Sequence, residues 1–102
     1  MQVKYGKSRE TLTLFVYGEL DEYSSSNVRE ILDKVIYDNI NVNRVVFDLS
    51  GLSFMDSTGV GLLIGRYKKI KEFNLPVYIT GASPSTEKVI ELAGLYKIMP
   101  KY

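Results

Sequence analysis

Residues 45–80 of the chain, VVFDLSGLSFMDSTGVGLLIGRYKKIKEFNLPVYIT, decide the fold class. The compact apolar run at residues 45–49 is typical of a strand in the middle of a sheet, and residues 76–80 form a second strand-like run. Between them, apolar side chains at helical spacing predict a helix over about residues 57–73. A strand, a helix and a strand in this order predict a βαβ unit whose helix covers the sheet.

The segments before this unit predict a hairpin and a first helix. Alternating apolar side chains over residues 11–17, and a shorter alternation at Val3 and Tyr5, predict two strands joined by the polar residues 6–10. Four residues that favour the N-cap position, 24–27, predict the start of a helix over about residues 25–38. Its buried side is expected to carry Val28, Ile31, Leu32 and Val35.

The segment after the unit predicts a third helix and a short strand. The helix begins at Ser83 and Pro84, because proline suits the first helical position, and ends at Gly94, a favoured residue after a helix. The last strand is expected over residues 96–99. The predicted order is therefore β-β-α-β-α-β-α-β. This order predicts an α/β fold with a mixed sheet and amphipathic helices, in a single domain over residues 1–102.

The composition excludes most catalytic chemistry. The 102 residues include no Cys and no His, which removes disulfides, serine or cysteine nucleophiles activated by His, and the usual zinc ligand sets. A net charge of +1 without a basic arm argues against a nucleic-acid partner. The sequence lacks a long apolar run and a signal-peptide core, which argues against a membrane partner and predicts a cytoplasmic protein. We expect no enzyme activity, no metal and no cofactor.

The segment Asp56-Ser57-Thr58-Gly59-Val60-Gly61 carries the candidate site, because it lies where a helix begins. The first turn of a helix leaves backbone N–H groups without partners, and these groups attract anions. The simplest interpretation is that Asp56 or Ser57 is an N-cap. However, Gly59 and Gly61 each cost a helix about 0.8–1 kcal/mol relative to alanine, which suggests that the backbone is bare for another reason.

A helical wheel divides this helix into two faces. The core stripe is predicted to contain Val60, Leu63, Ile64 and Tyr67, with Ile70 at its edge. The opposite face is predicted to contain Thr58, Gly61, Leu62, Gly65 and Lys69. Two glycines and an exposed Leu62 beside hydroxyl groups are better suited to close approach by another protein than to water. Alternatively, Gly65 admits a neighbouring helix of the same chain.

Other interpretations of the segment are weaker. The spacing of Gly59, Gly61 and Gly65 departs from a dinucleotide fingerprint, and the sequence contains neither a G-K-[ST] phosphate loop nor a G-x-S-x-G nucleophile motif. The basic run from Arg66 to Lys69, with Lys71, is interpreted as the solvated end of the helix.

Residues 53–71, SFMDSTGVGLLIGRYKKIK, resemble the STAS-domain anti-sigma factor antagonists, most closely their sporulation branch. Residues 18–21 (GELD), 47–50 (FDLS) and 92–95 (LAGL) are also similar to that family, so the likeness extends over essentially the whole chain. The resemblance implies a STAS-like domain that acts in a partner-switching circuit.

The resemblance also implies partners and roles. An anti-sigma factor with serine kinase activity would bind the unphosphorylated chain, release its sigma factor and phosphorylate the Ser after the Asp, here Ser57. A serine phosphatase would reverse the modification. The expected partner-binding residues are Asp21, Asp56, Thr58, Gly59, Gly61, Leu62 and Gly65. The alternative is a STAS scaffold or ligand-sensing module that is never phosphorylated.

Overall fold

The computed structural model describes residues 2–102 and shows one mixed sheet with three α-helices. The strands are β1 (Gln2–Lys7), β2 (Thr11–Leu20), β3 (Arg44–Asp48), β4 (Leu52–Met55) and β5 (Val77–Thr80). The helices are α1 (Ser25–Asp38), α2 (Ser57–Lys71) and α3 (Pro84–Ala93), and a 3-10 turn follows at Leu95–Lys97. The predicted α/β class, mixed sheet and three helices are confirmed.

The sheet has the order β1-β2-β3-β5, with β4 attached to the end of β2. The hairpin β1–β2 is antiparallel, and the β2–β3, β2–β4 and β3–β5 pairs are parallel. β2 pairs with β3 along its first half and with β4 from Gly18 to Leu20, and the register of the second pairing shifts between Gly18 and Glu19. This second pairing places the carboxyl ends of β2 and β4 next to each other.

One hydrophobic core joins the sheet to the helices. The inward residues of β2, Leu12, Leu14 and Val16, have no exposed surface, in keeping with the predicted alternation. α2 contacts α1, α3, β4 and β5 and is therefore covered over a wide arc. In α1 the buried residues are Val28, Leu32 and Ile36. Ile31, which was expected inside, is 40% exposed.

Two elements differ from the predicted order. The sequence analysis missed β4, which is four residues long and lacks alternating burial. The strand predicted over residues 96–99 is wrong, because this segment begins with the 3-10 turn that follows the left-handed Gly94. The strand-like contact lies further along, where Lys101 forms a parallel bridge with Ile79 of β5.

Candidate functional site

Ser57 is the first residue of α2 and is exposed to solvent. The preceding Asp56 is the N-cap: its carboxylate accepts hydrogen bonds from the backbone N–H of Thr58 at 2.9 Å and of Gly59 at 3.2 Å. Asp56 therefore satisfies two of the N–H groups that a helix start leaves without partners. Ser57 lies outside these bonds, so its hydroxyl is presented at the helix start without serving as the cap.

Asp21 lies at the same edge of the sheet as Asp56. The parallel pairing of β2 with β4 ends with Leu20 opposite Met55, and the two aspartates are the next residues of their strands. The backbone N–H of Asp56 donates to the carbonyl of Leu20 at 3.4 Å, which links the two strand ends. The structure thus places both predicted carboxylates at the edge from which α2 begins.

The Asp21 carboxylate orders the loop that leads into α1. Its Oδ1 accepts from the backbone N–H of Tyr23 at 3.0 Å and of Ser24 at 3.2 Å, and from the Ser24 hydroxyl at 3.2 Å. The loop presents Tyr23 with 88% of its surface exposed. Tyr23 was not among the predicted site residues, although aromatic residues are enriched in protein interfaces.

A groove lies between the first turns of α1 and α2, and we call it the α1–α2 groove. Its volume is about 270 Å³, and it is lined by Ser25, Arg29, Thr58, Gly61, Leu62, Gly65 and Arg66. A Cβ atom added at Gly61 or at Gly65 would have no neighbouring atom within 4 Å. The two glycines therefore leave an open strip along α2, and they do not admit a neighbouring helix of the same chain.

Two of the predicted partner-binding residues are inside the domain. Leu62 is only 7% exposed and belongs to the hydrophobic core, so the prediction of an exposed side chain is wrong. Gly59 is buried, and a Cβ there would lie 2.6 Å from Cγ of Met55 and 2.8 Å from the carbonyl oxygen of Leu20. Gly59 is thus required for close packing of α2 against the ends of β2 and β4, which needs no partner protein.

The interpretation of the basic run as a solvated helix end is wrong at Arg66. Its side chain is 5% exposed, and its Nε lies 2.7 Å from Oδ1 of Asp33 on α1. Lys69 reaches the other oxygen of Asp33 at 3.1 Å. Burial is the main cause that lowers the pKa of Arg66; the charge of Asp33 opposes it and the charge of Arg29 adds to it. The burial and pairing of Arg66 could not be predicted from the sequence, because its partner is 33 positions away. Arg29 was not predicted as a site residue either.

Within residues 2–102, no three Asp, Glu, His or Cys side chains are grouped so that they could hold a metal ion. None of the helices in the same range combines the length and the hydropathy that a membrane span requires.

Comparison with known proteins gives consistent results. Residues 2–102 match the family model described as STAS domain. The chain is 33% identical over 102 residues to the anti-sigma F factor antagonist of Paenibacillus polymyxa, which covers 100% of this chain and 86% of the relative.

Solved structures show the same fold. The anti-sigma factor antagonist SpoIIAA in its unphosphorylated form has a TM-score of 0.79 and 28% sequence identity, covering 99% of this chain and 88% of that one. The Bacillus cell fate determinant SpoIIAA in the phosphorylated form has a TM-score of 0.71 and 28% identity, covering 99% and 91%.

Proposed function

The chain belongs to the STAS-domain family of anti-sigma factor antagonists, and on that premise we propose that it is a cytoplasmic, non-enzymatic regulator of a sigma factor in the sporulation branch. In its unphosphorylated form it binds an anti-sigma factor with serine kinase activity and frees the sigma factor. Phosphorylation of Ser57 ends this binding, and a serine phosphatase restores it.

The observation that carries the proposal is the position of Ser57. Its side chain is exposed at the first residue of α2, next to Thr58 at the rim of the α1–α2 groove. A hydroxyl at this place is accessible to a kinase and lies on a surface where a second protein can approach. The existence of SpoIIAA in a phosphorylated form supports the proposal that this chain is regulated by phosphorylation.

The electrostatics explain why the modification would act on the partner. A phosphate adds about −1.5 to −2 charges, and the positive end of a helix tolerates such a charge. Asp21 and Asp56 already make this edge acidic, and Asp56 occupies two of the N–H groups that could otherwise neutralise the phosphate. The added charge therefore faces the docked protein and must be desolvated there. A few kcal/mol from this source weaken binding by about 10²-fold or more.

We propose that Asp21, Asp56, Thr58, Gly61 and Gly65 form the contact surface. Leu62 lines the groove with a largely buried side chain, and Gly59 allows α2 to pack closely against the ends of β2 and β4.

The test uses the anti-sigma factor encoded by the same organism. The purified chain is incubated with it and ATP, and phosphopeptides are mapped. We expect a single modification on Ser57, none on Ser57→Ala, and modification still on Ser57 in the matched control Thr58→Ala. Calorimetric titration is expected to show affinity at least about 10²-fold weaker for the phosphorylated chain.

Modification on Thr58, or continued phosphorylation of Ser57→Ala, would contradict the assignment of the acceptor. Binding without any phosphorylation would favour the alternative of an unphosphorylated scaffold or ligand-sensing module.

A further inference from the structure

The α1–α2 groove contains more cationic side chains than the neighbouring carboxylates can neutralise. Arg29 and Arg66 both line it, and Lys69 lies beside Arg66 on α2. Asp33 pairs with Arg66 and with Lys69, and no salt bridge within residues 2–102 joins Arg29 to a carboxylate. Two cations thus share one carboxylate, and Arg29 has no carboxylate partner in this part of the chain.

Arg66 is the most unusual of the three cations. Its side chain is 5% exposed, yet its Nη1 has no hydrogen-bond partner among the described residues. Leaving a buried donor unpaired is costly, and more so when it is charged. The charge of Arg29 further disfavours the protonated form of Arg66. An anion that entered the groove between the two arginines would reduce both penalties.

The shape of the groove admits such an anion. Because a Cβ at Gly61 or Gly65 would meet nothing, the backbone of another protein can come close to α2 there. Thr58 is on the same lining, and its hydroxyl can donate a hydrogen bond to a carboxylate.

We propose that the α1–α2 groove receives an acidic side chain of the bound anti-sigma factor, whose carboxylate pairs with Arg66 and Arg29. This inference rests on the function proposed above. The groove adjoins Ser57, because Thr58 both lines the groove and follows Ser57 in the first turn of α2, so a protein docked over Ser57 can reach the groove. A free ion in an open groove must lose its own translational freedom on binding, whereas a side chain of a docked protein is already held there.

The binding surface then has two halves of opposite charge. Asp21 and Asp56 are on the β2–β4 edge, and Arg29 and Arg66 are in the groove. A partner with a cation opposite the first pair and a carboxylate opposite the second can dock in only one orientation, because the reversed orientation brings like charges together.

The test measures the affinity of the anti-sigma factor from the same organism for Arg29→Glu and Arg29→Gln. Arg29 is exposed, so we expect melting temperatures within about 4 °C of the wild type. Affinity is expected to fall at least about 10-fold for Arg29→Glu and less for Arg29→Gln. The matched control is Lys88→Glu, the same kind of charge change at an exposed position of α3 outside the groove; its affinity should stay within about 2-fold.

A second arm reverses the charge of acidic residues of the anti-sigma factor one at a time. Recovery of binding to Arg29→Glu by one such change supports the proposal and identifies the inserted residue.

Equal affinities of Arg29→Glu and Lys88→Glu overturn the inference, while the proposed function stands if the wild type still binds and is phosphorylated on Ser57. A wild type that neither binds nor is phosphorylated overturns both. Inorganic phosphate is titrated separately, and its binding is followed by the NMR chemical shifts of the backbone amides of Gly61 and Gly65. If Arg29→Glu abolishes those shifts but leaves the affinity for the protein unchanged, the groove is a site for small anions and the inference is wrong.

Discussion

Replacing the glycines of α2 by alanine should stabilise the domain at Gly61 and Gly65 and destabilise it at Gly59. At Gly65 an added methyl group meets no atom within 4 Å, so the only effect on stability is the better helix propensity of alanine. This raises the free energy of unfolding by about 0.8–1 kcal/mol. Gly61→Ala should gain a similar amount for the same reason. For a domain of this size, about 1 kcal/mol raises the melting temperature by about 4–8 °C.

At Gly59 the sign reverses. The added Cβ would lie 2.8 Å from the carbonyl oxygen of Leu20, a backbone atom that cannot rotate away, and 2.6 Å from Cγ of Met55. Overpacking of this kind costs about 1–3 kcal/mol, and the fixed carbonyl puts Gly59→Ala at the upper end of that range. After subtraction of the helix propensity gain, we expect a net loss of about 2 kcal/mol.

The assay is thermal and urea unfolding followed by circular dichroism, together with calorimetric titration of the anti-sigma factor. Gly65→Ala should be more stable and bind more weakly, because its methyl group enters the α1–α2 groove. Gly59→Ala should be less stable, with unchanged affinity of the folded fraction. A destabilised Gly65→Ala, or a Gly59→Ala as stable as the wild type, would refute the packing argument.

Two further predictions concern the core and the end of the described chain. Leu62→Ala should lower the free energy of unfolding by about 2–5 kcal/mol because the side chain is buried; a loss below about 0.5 kcal/mol in urea unfolding would mean that it is exposed after all. Hydrogen bonds from Lys101 and then Tyr96 lower the pKa of Glu87, so Lys101→Ala should raise that pKa toward its ordinary value, as measured by NMR titration of the carboxyl carbon. Because the folded pKa lies below the unfolded one, the contribution of this carboxylate to stability is present above the unfolded pKa and is lost as the pH falls through the folded pKa. An unchanged titration in the variant would show that Lys101 does not hold the carboxylate.

Local signals predicted the helices well. α1 has the predicted bounds, 25–38, and α3 begins at Pro84 and is followed by Gly94 in the left-handed conformation, as expected from the chemistry of helix ends. β4 was missed because its strand conformation depends on pairing with the end of β2, a contact between segments over 30 residues apart. The segment after Gly94 was misassigned because an apolar residue such as Met99 is buried just after a 3-10 turn as fully as it would be in a short strand.

In the candidate site, too, the features that depend on local spacing were predicted and those that depend on long-range contacts were not. The sequence placed Asp56 at a helix start and Thr58, Gly61 and Gly65 on one face, because these depend on local spacing. It failed for Leu62 because a helical wheel with one apolar stripe assumes one covered face, whereas α2 contacts other elements on several sides. Long-range contacts also determine the roles of the groove cations. Arg66 is buried where it pairs with Asp33 on α1, and no residue near Arg66 in the sequence predicts this pair.

The parallel bridge between Ile79 and Lys101 affects whether a strand of a second copy can add to the sheet. A free sheet edge offers unpaired backbone groups to which a strand of another molecule can add. On β5 the N–H of Ile79 donates to Pro100 and its carbonyl accepts from Tyr102, so the middle of that edge is occupied. At the opposite edge, β1 carries Lys4 and Lys7, whose charges repel the same edge of a second copy. These two edges thus disfavour the addition of a strand from a second copy.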